Sequence, residues 1–185
     1  MTHYINIPTK AQGKKGKEIK VSKRTRQYLG LLTAVATYYI IHEGAHLLYA
    51  LCTGVFKEIH FMGLGIQIDI HRELLTDTQL GIFCLVGAVA SQIAAYLMVL
   101  LTKTICRSPS KRFKACCYYA SIALLLLDPV YLSVLCGFFG GGDMNGIALL
   151  VPEMTARIGF GILLILNGLL FWKSVLPLYT KSFHQ

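Results

Sequence analysis

Acidic side chains are scarce in this chain. Its 185 residues hold nine Asp and Glu against eighteen Lys and Arg, and charged residues of all kinds make up only 15%. With 55% hydrophobic residues and a mean hydropathy of +0.56, that thin charge cover excludes an ordinary soluble domain. The six cysteines include no C-x-x-C pair, which removes the usual thiol redox and zinc-ribbon spacings. Most of them lie in or beside apolar runs, where cysteine behaves as a small hydrophobe. The run from Tyr28 to Thr53 contains no proline, lysine or arginine, so nothing in it breaks a helix.

What is present is long apolar runs and a basic start. The first 26 residues carry eight of the eighteen basic residues and one acid, Glu18. The net charge of +9 does not point to a nucleic-acid partner. Basic residues next to membrane spans hold loops on the cytoplasmic side and touch anionic lipid headgroups. The start does not read as a cleavable signal peptide: its basic stretch is long, and the apolar run after it reaches spanning length. The chain reads as a multi-pass integral membrane protein whose partner is the lipid bilayer.

Four spans are expected, near residues 28–53, 78–102, 115–137 and 157–177. Asp128-Pro129 should kink the third. Between the first two spans, Ile66, Ile68 and Ile70 alternate with Gln67, Asp69 and His71. That period of two predicts a β-hairpin over Phe56 to His71, with its turn at Met62-Gly63-Leu64-Gly65. The fold class is therefore an all-α membrane protein of about four transmembrane helices with one small hairpin. Residues 1–27 form a basic tail, 28–178 one membrane-embedded domain, and 179–185 a short C-terminal tail. Charge bias puts both termini and the Lys103–Lys114 loop in the cytoplasm. The glycine-rich helices permit self-association into an oligomer.

The first span carries His42-Glu43-Gly44-Ala45-His46, an H-E-x-x-H sequence. Residues four apart share a helix face, so both imidazoles can reach one metal ion. Glu43 is offset by one position and suits a base acting on water. Ionisable groups are costly at membrane depth, roughly 2.5–3.5 kcal/mol each on insertion scales, so three in five residues need a reason. A catalytic zinc site needs a third protein ligand. Asp143 is the first candidate, because topology brings it to the depth of the pair and three glycines precede it. Asp128 is the alternative, and His60 and His71 on the hairpin are weaker ones. Asn145 and Gln92 are candidates for the oxyanion or for substrate backbone, and an interhelical contact is the plainer role for Gln92.

At the His pair the chain resembles the site-2-protease-like membrane metallopeptidases. Those proteins follow the zinc-binding helix with a small β-rich segment, as Phe56 to His71 does here. Their next helix often carries Gly-Pro-x-x-Asn. Gly87-Ala88-Val89-Ala90-Ser91-Gln92 is similar in small residues but lacks the Pro and the Asn. Their later Asp-Gly ligand has its nearest match in Gly142-Asp143-Met144-Asn145-Gly146, where the glycine is displaced. The resemblance covers about residues 28–150. It implies a zinc-dependent peptidase acting on a peptide or membrane-protein substrate. His42, His46 and Asp143 would hold Zn²⁺, and Glu43 would be the catalytic base. Two other readings stay open. One is a metal-dependent membrane hydrolase of a non-peptide substrate. The other is a non-catalytic membrane protein that keeps the metal-site fold as a chaperone, immunity factor or transporter subunit.

Overall fold

The computed structural model describes residues 22–62, 65–140 and 142–184. Residues 1–21 of the expected basic tail thus lie outside the described residues, as do two residues of the expected turn, Gly63 and Leu64, while residues 23–27 belong to the first helix. The first helix, α1, runs Lys23–Thr53. Ser22 starts it by accepting a hydrogen bond from the Thr25 amide, 3.1 Å away. Gly54 ends it in the left-handed conformation at φ 73°, which a side chain would oppose.

The hairpin forms as the alternation requires. Strand β1, Phe56–Met62, pairs antiparallel with β2, Gly65–Ile70, in the register Ile59↔Ile68 and His60↔Gln67. The register shifts between Phe56 and Glu58, so Lys57 is an extra residue in β1. Ile68 is buried among Ala50, Val55 and Phe83, which fixes the hairpin against the helices that flank it.

Helix α2, Asp77–Cys106, opens with a reciprocal capping box between Thr76 and Gln79. Helix α3, Lys111–Val130, continues through a π-helical turn, Tyr131–Leu135. The one-turn helix α4 is Asp143–Ile147. Helix α5, Glu153–Leu170, runs through a second π turn, Phe171–Val175, into α6, Leu176–His184. The last helical stretch therefore continues past Pro177. It also takes in most of the segment that the sequence suggests is a free tail. Proline is tolerated there because it closely follows the π turn, where the i→i−4 ladder is already interrupted.

Among the described residues, three helical stretches are long and apolar enough to cross a membrane: Asp77–Cys106, Lys111–Leu135 and Glu153–His184. The expected first span is helical and 31 residues long but is not among them. Tyr38, Tyr39, His42, Glu43 and His46 lower its hydropathy.

Pro129 shapes α3 without ending it. A proline has no N–H, so the Leu125 carbonyl four residues earlier loses its helical donor. Asn167 of α5 supplies another, with Nδ2 donating to Leu125 O at 2.8 Å and to Gln92 Oε1 at 2.7 Å. Gln92 Nε2 donates to Leu124 O at 3.0 Å, and the Tyr96 hydroxyl donates to Asn167 Oδ1 at 3.0 Å. Gln92 and Asn167 are both buried. This network ties α2, α3 and α5 together at the proline, and it gives Gln92 an interhelical role away from any substrate. At the other end of α3, buried Lys114 donates to Ser182 O at 2.7 Å, pinning the end of α6 beside the basic loop.

Candidate metal centre

The candidate ligands come from two distant parts of the chain. His42 and His46 lie one turn apart on the buried face of α1. Asp143 is the first residue of α4, reached through Gly142 at φ 43° and ψ −125°. That backbone is closed to an L side chain, and a Cβ there would also strike the Tyr131 hydroxyl. The glycine run before Asp143 thus has a structural reason. Buried Met144 and Ile147 then seat α4 in the core beside Cys84 and Phe83.

The three donor atoms form a small triangle. His42 Nε2 and Asp143 Oδ2 are 3.1 Å apart, the two Nε2 atoms 3.2 Å, and His46 Nε2 and Asp143 Oδ2 3.6 Å. A tetrahedral zinc about 2.0–2.1 Å from each ligand requires donor atoms about 3.3 Å apart. The triangle has that size, so the residues fit such an ion. Gly87 of α2 lies under it. A Cβ at that position would come within 2.8 Å of His42 Nε2 and closer still to His46 Nε2. The small-residue stretch of α2 is therefore what lets the imidazoles seat.

The electrostatics suit a cation. Burial would raise the Asp143 carboxyl, but hydrogen bonds with His42 and His46 more than offset it and hold the group at about 2. Asp143 is thus a carboxylate, pointed at two imidazoles. Both ring nitrogens of His42 face carboxylates, because Nδ1 lies 3.1 Å from Asp128 Oδ1. That contact has ion-pair distance without good hydrogen-bond alignment, and His42 Nδ1 has no other partner among the described residues.

A cavity of about 500 Å³ opens on the triangle. Its walls include His42, Glu43, His46 and Asp143, with Tyr38, Phe83 and Tyr131, and with Gly65 to Ile68 of β2. Glu43 is half-buried on that wall and makes no hydrogen bond among the described residues. Its position beside the two histidines is that of a group free to act on a molecule in the cavity.

The remaining candidates fall elsewhere. Asp128 is brought to His42 but on the far side of the ring from Asp143, at Nδ1 rather than Nε2. His60 is exposed on the hairpin and pairs with Glu58 and Asp69, and half-buried His71 beside it pairs with Glu73. Asn145 is exposed and its amide donates to Gly140 O at 3.2 Å, closing the loop before α4. It does not line the cavity, so the oxyanion role gains nothing from its position. Sequence reasoning missed Tyr38, whose ring stacks on His42 with centroids 5.2 Å apart and whose hydroxyl donates to Asp128 Oδ1. Its signal was there: Tyr38 is four residues before His42, on the same helix face.

No protein-family model, no curated protein and no solved structure matches this chain.

Proposed function

We propose that the protein is a membrane-embedded zinc peptidase that cleaves peptide bonds within or next to the bilayer. The observation that carries this reading is the convergence of His42, His46 and Asp143 on one cavity wall beside the unpartnered carboxylate of Glu43. The resemblance of His42 to His46 and of the following hairpin to site-2-protease-like enzymes supports it. In this reading α1 is the fourth span. Leu31, Leu32, Ile40, Leu48 and Leu51 are exposed along it and would meet lipid. Both termini and the basic loop would be cytoplasmic, which agrees with the bond between Lys114 and the end of α6.

His42, His46 and Asp143 would hold Zn²⁺. The ion, when bound, supplies Lewis acidity that activates water and polarises a carbonyl. Glu43 would accept a proton from that water and return it to the leaving amine. The hairpin has two strands, so one edge of β2 is unpaired within it, and β2 residues Gly65 to Ile68 line the cavity. An extended peptide could add to that edge by main-chain hydrogen bonds, with Gln67 and Ile66 beside it. This favours a peptide over a lipid substrate.

The test uses the purified full chain in detergent or nanodiscs. Wild type should bind one zinc, and Glu43→Gln should keep that zinc while peptide turnover falls by about 10²–10⁴-fold. Full turnover in Glu43→Gln would sink the hydrolase reading. One zinc in both proteins with no turnover of any peptide would favour the binding-protein reading.

A further inference from the structure

We infer that Asp128, held by Tyr38, is the positioning residue that fixes His42 for metal binding. The inference rests on the metal-centre reading above and assigns a role to a buried carboxylate which that reading leaves unused. Asp128 is 1% exposed, among the most buried residues of the chain. A buried carboxylate is costly unless something nearby compensates it. Two groups face it: the Tyr38 hydroxyl donates to Oδ1, and His42 Nδ1 stands 3.1 Å from the same oxygen. Its Oδ2 has no partner among the described residues. The carboxylate is thus committed to one side of one imidazole.

The side matters. Nδ1 and Nε2 of a histidine point away from each other, so Asp128 cannot join the triangle formed at Nε2 while His42 keeps this orientation. Asp128 is therefore no third ligand here. A carboxylate at Nδ1 favours the proton on that nitrogen, leaves the Nε2 lone pair for a metal and makes it more basic. Tyr38 adds a second constraint by stacking on the same ring. His42 thus has an aromatic ring on its face and a carboxylate at ion-pair distance on its Nδ1 side. His46 has no equivalent: among the described residues no carboxylate stands at ion-pair distance from its Nδ1. The pair divides into one anchored ligand and one that depends on packing against Phe83, 4.8 Å between centroids.

The helix supporting Asp128 is itself fixed. Asp128 precedes Pro129, whose orphaned Leu125 carbonyl is taken by Asn167, while Gln92 holds Leu124 O. These bonds lock α3 one turn before Asp128. The proline defect and its network therefore serve to aim the carboxylate at α1.

The experiment measures Zn²⁺ affinity by chelator competition, and the visible absorption of the Co²⁺-loaded protein. It compares wild type, Asp128→Asn, Tyr38→Phe and Asp143→Ala, each as the full chain. Asparagine keeps the shape and one acceptor oxygen but not the charge. Asp128→Asn should bind zinc about 10- to 100-fold more weakly and leave the Co²⁺ bands in place. Tyr38→Phe should weaken binding by about 2- to 10-fold, one hydrogen bond's worth. Asp143→Ala should change the bands, as loss of a ligand must. Wild-type affinity in Asp128→Asn would overturn the inference. So would Asp128→Asn bands that change as those of Asp143→Ala do, since that would make Asp128 a ligand. If Asp128→Asn does not fold, Tyr38→Phe decides, and wild-type affinity there overturns the inference. Wild type that takes up no zinc defeats the metal-centre reading and this inference with it. Wild type that binds zinc beside an unaffected Asp128→Asn defeats this inference only.

Discussion

Two groups of metal-ligand side chains stand among the described residues, and they differ in burial and surroundings more than in spacing. His42, His46 and Asp143 form one; Glu58, His60 and Asp69 on the hairpin form the other. In both, three donor atoms lie within 4.8 Å of one another. The first group has two buried histidines, a glycine cut to fit them, a supporting carboxylate and a cavity beside it. The second is exposed, and its charges already satisfy each other: His60 Nε2 lies 3.1 Å from Glu58 and 3.4 Å from Asp69. The hydrogen bond with His60 holds the Glu58 carboxyl below its ordinary range. Water and mutual pairing compete with any ion there, and long exposed side chains lose rotamer freedom on binding one. The contrast shows that proximity of ligands is cheap on a surface. Buried, directed ligands that face a cavity are what distinguish a centre.

Removing a ligand from the buried group should produce the largest difference. His46→Ala leaves two donors, fewer than a stable zinc site uses. Its bound zinc, read by atomic absorption after dialysis, should fall from one per chain to none, and peptide turnover should vanish with it. Zinc that stays at one per chain in His46→Ala would move the metal off this helix and onto the hairpin group.

The reach of the sequence differs between these regions for a physical reason. The hairpin was legible because period-two alternation is a local property, and Ile68 against Asp69 records which face is buried. The His pair was legible because i,i+4 spacing is local too. Asp143 could be proposed only through topology, since its partner is 101 residues away in sequence. The expected order of helices already brought it to the same end as the pair, and the structure has it 3.1 Å from His42. Asp128 was seen as a candidate, but its side of the ring was not legible. Which nitrogen a carboxylate meets depends on how α3 rotates against α1, and that rotation is set by Pro129, Asn167 and Gln92 acting together. The extent of the last helix was missed because proline reads as a stop in sequence, while next to a π turn it is tolerated. Asn145 was a candidate for the oxyanion, and what could not be read from the sequence is that its amide closes its own loop.

A smaller change sharpens the comparison from the side of shape. Gly87→Ala alters no ligand and no charge, and alanine favours a helix over glycine by up to about 1 kcal/mol. Its methyl group would nevertheless meet the metal-facing nitrogens of both histidines. Zinc affinity should fall by about tenfold or more, while helix content by circular dichroism stays at the wild-type level. Unchanged affinity in Gly87→Ala would mean that the imidazoles can shift freely, and that the triangle is less rigid than its packing indicates.

The smallest effect is expected on the hairpin, and it is the sharpest control. His60→Ala removes the one imidazole of the exposed group and leaves Glu58 and Asp69 facing each other across the strands. Exposed ion pairs contribute roughly 0–1 kcal/mol, and like charges directly opposite cost a comparable amount. Thermal stability should therefore drop by no more than about 1 kcal/mol. Zinc content should stay at one per chain, because the buried triangle is untouched. Peptide turnover should change by less than about tenfold, through the strand edge alone, since His60 pairs with Gln67 and Gln67 lines the cavity. A loss of zinc in His60→Ala equal to that in His46→Ala would erase the distinction between the two groups. Burial and direction would then count for less than spacing in this protein.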